Sequence, residues 1–103
     1  MRKHTMLSES DVVALPGGSG TLEELLEALT LKRLGLYTNP IVLVNTRNYF
    51  EPLVRLFEHA VAERFMDRRY LDMWQVVDSP ENVPAALAHA PPWSAAAREF
   101  AAV

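Results

Sequence analysis

Across residues 16–21 the chain reads Pro16-Gly17-Gly18-Ser19-Gly20-Thr21, and the period of its hydrophobic residues differs on the two sides of that stretch. Before it, Val12-Val13-Ala14-Leu15 forms a short continuous apolar run behind Asp11, the pattern of a strand buried on both faces. After it, Leu22, Leu25, Leu26 and Leu29 recur at the i, i+3, i+4, i+7 spacing of one helical face. A strand that turns through glycines into an amphipathic helix is the first half of a crossover. If a second strand follows, the two must lie parallel.

A second strand does follow. Lys32 and Arg33 suit the negative end of a helix dipole and Gly35 can terminate the helix, after which residues 40–45, Pro40-Ile41-Val42-Leu43-Val44-Asn45, read as another buried strand. Pro52 sits where a first helical turn tolerates it, and Leu53, Leu56, Phe57, Ala60 and Val61 define a second amphipathic helix. A weaker strand over residues 74–77 leads to Asp78-Ser79-Pro80-Glu81, a helix-start signal, and to Val83, Ala86 and Leu87 on a third helix. The expectation is α/β: a parallel sheet with helices on both faces. Three strands make a small sheet, and the first has nothing before it in the chain long enough to pair beside it. An apolar edge is therefore expected to stand open, to be closed by another chain or by a preceding part of a longer domain. Beyond Ala90-Pro91-Pro92 the alanine-rich tail, residues 91–103, is expected to be loosely ordered.

Composition removes several classes of function. At 103 residues the chain forms one domain at most. A net charge of -3 argues against nucleic acid or an anionic membrane as partner, although Arg2 and Lys3 together could grip one phosphate. Without cysteine there are no disulfides, thiolate metal sites or thiol nucleophile. No run has signal-peptide or membrane-span length, so a soluble cytoplasmic protein is expected.

Ligands of parallel sheets sit beyond the carboxyl ends of the strands, and the glycine stretch lies at such an end. Glycines admit a close-approaching anion, the first amides of the following helix point at it, and Ser19 and Thr21 add hydroxyls. The spacing is neither that of the P-loop nor that of the dinucleotide fingerprint. A plainer reading stands beside it: Thr21-Leu22-Glu23-Glu24 fits a capping box, and Glu23, Glu24 and Glu27 fit a solvated helix face.

The string Pro16-Gly17-Gly18-Ser19-Gly20-Thr21-Leu22-Glu23-Glu24 resembles the PGGxGTxxE signature of the LOG family, the cytokinin riboside 5'-monophosphate phosphoribohydrolases often mislabelled lysine decarboxylases. Arg2-Lys3, Met6 and Ser10-Asp11 resemble that family's RKxxM…SD segment, and the likeness runs on to about Ala88. The resemblance implies a Rossmann-like fold, with residues 1–90 as the C-terminal portion of such a domain and its N-terminal half lacking. It also implies hydrolysis of the N-glycosidic bond of an N6-modified adenosine 5'-monophosphate, giving free base and ribose 5-phosphate without metal or other cofactor, by a homodimer. Carried over by position, Arg2 and Glu24 would be the catalytic pair. Gly17, Gly18, Ser19, Gly20 and Thr21 would hold the 5'-phosphate, and Lys3, Glu23 and Thr30 would line the substrate site. Leu25, Leu29 and Leu36 would serve the dimer interface. The first strand reads about one residue shorter than the family pattern, which bears on how Arg2 and Glu24 would face each other.

Other residues carry plainer expectations. His4, His59 and His89 are too scattered for a metal site, Trp74 and Trp93 read as packing residues, and Arg68 with Arg69 reads as a solvated basic spot. Neither lysine, Lys3 or Lys32, sits in a Schiff-base context, which argues against decarboxylation through pyridoxal phosphate. Two readings compete with the hydrolase: a non-catalytic nucleotide or phosphate binder resembling the molybdenum-cofactor carriers, and an inactive fragment that folds only by pairing its open edge.

Overall fold

The computed structural model describes residues 11–94 and 96. Three strands, β1 (Val12–Ala14), β2 (Ile41–Val44) and β3 (Gln75–Val77), form one parallel sheet in the order β1-β2-β3. Helix α1 (Ser19–Arg33) connects the first pair, α2 (Glu51–Ala62) the second, and α3 (Val83–Ala88) follows the third. Short 3-10 turns at Thr46–Asn48, Arg68–Met73 and Pro80–Asn82 fill the connections. The expected alternation is present.

Register decides which side chains share a face. Val12 lies opposite Ile41, and Ala14 opposite Leu43. These four point to one side of the sheet, where Leu25, Ala28 and Leu29 of α1 join Ala14, Ile41 and Leu43 in a single core with Phe50, Tyr70, Met73 and Trp74. Leu53, Val54 and Phe57 of α2 pack against the same core, and the Phe57 and Trp74 rings lie 5.0 Å apart. Each aliphatic or aromatic side chain buried here contributes about 1.5–3 kcal/mol from leaving water. Val42, Val44, Gln75 and Val77 point to the other side, which α3 covers; the Gln75 Nε2 donates to the Ala86 carbonyl at 2.8 Å.

Burial separates the three strands. All four residues of β2 are buried, as its apolar run predicts. The expectation that the first strand is buried on both faces fails: Ala14 is buried, but Val13 is 41 % and Leu15 53 % exposed. Both belong to the face under α3, and α3 packs chiefly on β2 and β3. Among the described residues β1 is an edge strand, so the predicted open apolar edge is observed.

Helix ends also depart from expectation. α1 begins at Ser19 with Gly18 as its N-cap and no side-chain capping bond, so Thr21 and Glu24 lie within the helix and do not form a capping box. The buried stripe of α1 is Leu25, Ala28, Leu29 and Lys32, which leaves Leu26 exposed. With Leu25 and Leu29 in the core, only Leu36 of the three leucines expected at an interface is exposed. Leu56 of α2, expected on the buried face, is likewise largely exposed. The other end of α1 behaves as read: Gly35 adopts a φ of 77°, its N–H bonds the Lys32 carbonyl, and the Leu36 N–H bonds the Leu31 carbonyl at 2.8 Å. That pair of bonds is a Schellman closure. α3 starts later than Asp78-Ser79-Pro80-Glu81 suggests, because those residues enter the 3-10 turn and the Ser79 hydroxyl bonds the Glu81 carboxylate.

Candidate functional site

The carboxyl ends of the strands open into residues 16–21 and into the segment between β2 and α2. The N–H of Leu22 makes the first i→i−4 bond of α1, to the Gly18 carbonyl at 3.1 Å. The amides of Ser19, Gly20 and Thr21 come before it, at the positive end of the helix dipole. Gly18, Ser19 and Gly20 are exposed, and a Cβ at Gly18 or Gly20 would meet open space. Gly17 differs. A Cβ there would fall 2.3 Å from Thr21 Oγ1, so glycine at this position permits the close approach of the loop to the first turn.

The segment after β2 is tied down at every step. Asn45 is buried; its N–H bonds the Val77 carbonyl at 2.7 Å, and its Oδ1 accepts the Phe50 N–H at 2.6 Å. Between these anchors Arg47 (φ 56°) and Asn48 (φ 60°) both adopt left-handed backbone, a conformation disfavoured for non-glycine residues. The turn then presents Tyr49, whose hydroxyl donates to the Gly17 carbonyl. Its ring stands edge-on to the buried Phe50 at 5.2 Å. Sequence reading missed Tyr49, since no motif marks it; the usable signal was that the loop after β2 must reach the same end of the sheet as the glycine stretch.

A cleft of about 430 Å³ runs along the outer edge of β1 to the first turns of α1, lined by Val12, Val13, Ala14, Leu15, Pro16, Thr21, Glu24 and Leu25. Thr21 and Glu24, three residues apart, share one side of the helix and line this cleft together. Glu23 is exposed and does not line it. Nor is Thr30 brought to the tip. Nine residues beyond Thr21, it sits roughly 13 Å further along the axis, its hydroxyl bonds the Leu26 carbonyl at 2.9 Å, and it lines a separate groove with Leu26, Leu29, Arg33, Phe57, Met66 and Met73. Arg2 and Lys3, together with His4, lie outside the described residues.

Elsewhere the polar groups serve structure. Lys32 lies in the last turn of α1, at the opposite end of the sheet from the glycine stretch, and its Nζ donates to the Asn39 carbonyl at 2.8 Å. Its ammonium stands 5.8 Å from the centre of the Trp93 ring, and Trp93 Nε1 donates to the Lys32 carbonyl at 2.7 Å. Burial lowers the Lys32 pKa to about 8, against a smaller raising influence from Asp11. Burial, with Asp11 adding to it, raises the neighbouring Tyr37 to about 12. Trp74 and Trp93 are packing residues, as read. Arg69 is exposed and clasps Asp67 with two side-chain bonds, at 2.9 and 2.7 Å, which holds the carboxyl of Asp67 down at about 2. His59 is exposed on α2, and His89 Nδ1 lies 2.8 Å from the Ala85 carbonyl. Among the described residues no helix is long and apolar enough to cross a membrane.

Comparison with known proteins extends the geometry. Residues 1–87 match the family model described as "Possible lysine decarboxylase". The chain is 47 % identical over 66 residues to the "Probable cytokinin riboside 5'-monophosphate phosphoribohydrolase LOGL1" of Oryza sativa subsp. japonica, covering 63 % of this chain and 30 % of that protein. It is equally similar over 66 residues to the cytokinin riboside 5'-monophosphate phosphoribohydrolase of Rhodococcoides fascians, covering 63 % and 33 %. A longer match, 38 % identical over 79 residues, covers 76 % of this chain and 34 % of the "Probable cytokinin riboside 5'-monophosphate phosphoribohydrolase LOG4" of Oryza sativa subsp. japonica. The chain thus spans about a third of the length of the curated relatives it matches.

Proposed function

The chain belongs to the family described as "Possible lysine decarboxylase", and from that premise we propose that it hydrolyses the N-glycosidic bond of an N6-modified adenosine 5'-monophosphate to free base and ribose 5-phosphate. The names of the relatives, all cytokinin riboside 5'-monophosphate phosphoribohydrolases, support the substrate class. The observation that carries the reading is Glu24 on the wall of the β1 cleft, on the same side of α1 as Thr21 and one turn from the exposed amides at the helix tip. Those amides, with the hydroxyls of Ser19 and Thr21, would take the 5'-phosphate. The ribose would then lie toward Glu24. Cleaving the bond builds positive charge on the sugar, and a fixed carboxylate stabilises that charge or orients the attacking water. Arg2 would balance the leaving group or hold the phosphate, with Lys3 and Glu23 at the margin of the site.

Decarboxylation of lysine is the weaker reading of the family's description. Lys32, the one lysine among the described residues, is committed to Asn39 and Trp93 at the far end of the sheet from the cleft. The second part of the proposal is self-association. Leu26, Leu56 and Phe65 are exposed around the groove between α1 and α2, in place of the Leu25 and Leu29 expected from sequence, and a second copy would cover them. Light scattering tests it, and a monomer at working concentration rejects it.

Activity is tested by incubating the folded chain with AMP and with an N6-prenylated AMP and separating the products by chromatography. Release of free base is the expected result. No release under conditions where a full-length relative releases base would reject the hydrolase reading for this chain. Tight AMP binding that survives Glu24→Gln with no turnover in either form would favour a non-catalytic nucleotide binder.

A further inference from the structure

We propose that Tyr49 is a positioning residue for the amide-bearing tip of α1, a role that rests on the phosphate-binding reading of that tip. Its hydroxyl bonds the Gly17 carbonyl, and Gly17 is the residue whose Cα packs so closely on Thr21 that no Cβ fits between them. Fixing the Gly17 carbonyl fixes the Gly17–Gly18 peptide plane, and that plane sets the direction in which the chain enters Ser19. Gly18 supplies no side-chain cap, and within α1 the Leu22 N–H holds the Gly18 carbonyl, one peptide further on.

The construction behind Tyr49 is stiff. Buried Asn45 bonds both to β3, through the Val77 carbonyl, and across the turn to the Phe50 N–H. The Asn48 N–H bonds the Asn45 carbonyl at 3.0 Å, and the Tyr49 N–H bonds the Thr46 carbonyl at 3.1 Å. Arg47 and Asn48 are held in left-handed backbone inside these bonds. Two successive non-glycine residues in that region are unfavourable and persist only where surrounding structure over-determines them. What the strained turn delivers is the Tyr49 hydroxyl at Gly17. A loop serving only to join β2 to α2 has no need of that arrangement, because Asn45 and Phe50 alone close it. Tyr49 is itself partly exposed, so its ring is not present chiefly to fill the core.

The experiment is Tyr49→Phe, which keeps the ring against Phe50 and removes one oxygen. Loss of a single neutral hydrogen bond that orients the phosphate site is expected to raise KM for N6-prenylated AMP about fivefold, with kcat within about twofold of the parent. The melting temperature should fall by no more than about 4–8 °C, the equivalent of one such bond. An unchanged KM, or a KM that rises only together with a larger loss of melting temperature, overturns the role. Backbone ¹⁵N–¹H resonances of Gly18, Ser19 and Gly20 in the ligand-free chain give a second readout. If the parent cleaves neither AMP nor N6-prenylated AMP, the hydrolase reading fails but the resonances still decide: shifts confined to those amides in Tyr49→Phe support the positioning role, and unshifted amides refute it.

Discussion

The two ends of α1 obey opposite rules. The C-terminus is closed by several bonds: Gly35 closes the Schellman motif, the Lys32 side chain is buried on the Asn39 carbonyl, and Trp93 Nε1 donates to the Lys32 carbonyl. At the N-terminus Gly18 offers no side-chain cap, Ser19 and Gly20 are exposed, and the positioning force arrives from another loop through Tyr49. An exposed glycine tip held from another loop suits the phosphate-binding role proposed for it, and the sealed end holds the frame against which that tip is aligned.

The sharpest test of that contrast is chemical. If Glu24 acts on the sugar, Glu24→Gln should lower the rate of base release roughly a hundredfold or more, since neutralising one preorganised charge commonly costs that much, while the melting temperature stays put. Equal activity in the two forms would reduce the open end to an exposed helix start. Gly17→Ala is next in size. The added Cβ falls on Thr21 Oγ1, and relieving the clash requires moving the loop; a loss of about 2 kcal/mol is expected from urea denaturation. Adding Thr21→Ala should recover part of it. If Gly17→Ala is neutral, the loop is not held as tightly as the brace from Tyr49 implies.

The sealed end makes a prediction in pH. The folded-state pKa of Lys32 is lowered to about 8 from an ordinary value of 10.5, so between those values the unfolded chain binds more protons and stability rises with pH. Tyr37 is raised to about 12 from 10, so above pH 10 the folded chain holds the extra proton and stability falls again. The urea midpoint should therefore climb from pH 8 to about 10 and then decline, with a gain of order 2 kcal/mol on the rising limb. Lys32→Met should flatten that limb and leave base release at neutral pH unchanged. A flat profile in the parent would show Lys32 better solvated than its burial suggests.

Periodicity made the frame legible and hid the brace. Continuous apolar runs identified the strands because a buried parallel strand needs little else, and β2 obeys that rule in all four residues. β1 departs from it because burial of its outer face depends on what lies beyond the sheet edge, which composition cannot report. Lys32 was legible as a dipole partner but not as a buried group, since its burial depends on Trp93, 61 residues away. For the site, the glycines and Glu24 were legible as a motif, and Thr30 was placed by resemblance although nine residues of helix carry it to another groove. Tyr49 was invisible. A tyrosine next to an asparagine in a turn has no pattern of its own, and its role depends on a contact 32 residues away that only the parallel crossover creates.

The smallest prediction compares the two helix ends of identical design. α2 closes as α1 does: the Arg64 N–H bonds the Val61 carbonyl at 3.0 Å and the Phe65 N–H bonds the Ala60 carbonyl at 2.8 Å. Its left-handed residue is Arg64 (φ 65°), where α1 has Gly35. Arginine accepts a steric penalty there that glycine avoids, so Arg64→Gly should stabilise the fold by about 0.5–1 kcal/mol, offset in part by the greater freedom glycine gives the unfolded chain. Gly35→Arg should destabilise by a similar amount. If Arg64→Gly instead weakens the fold, Arg64 contributes more through its side chain than its backbone costs, and the residue next to Phe65 has a partner on the exposed groove between α1 and α2.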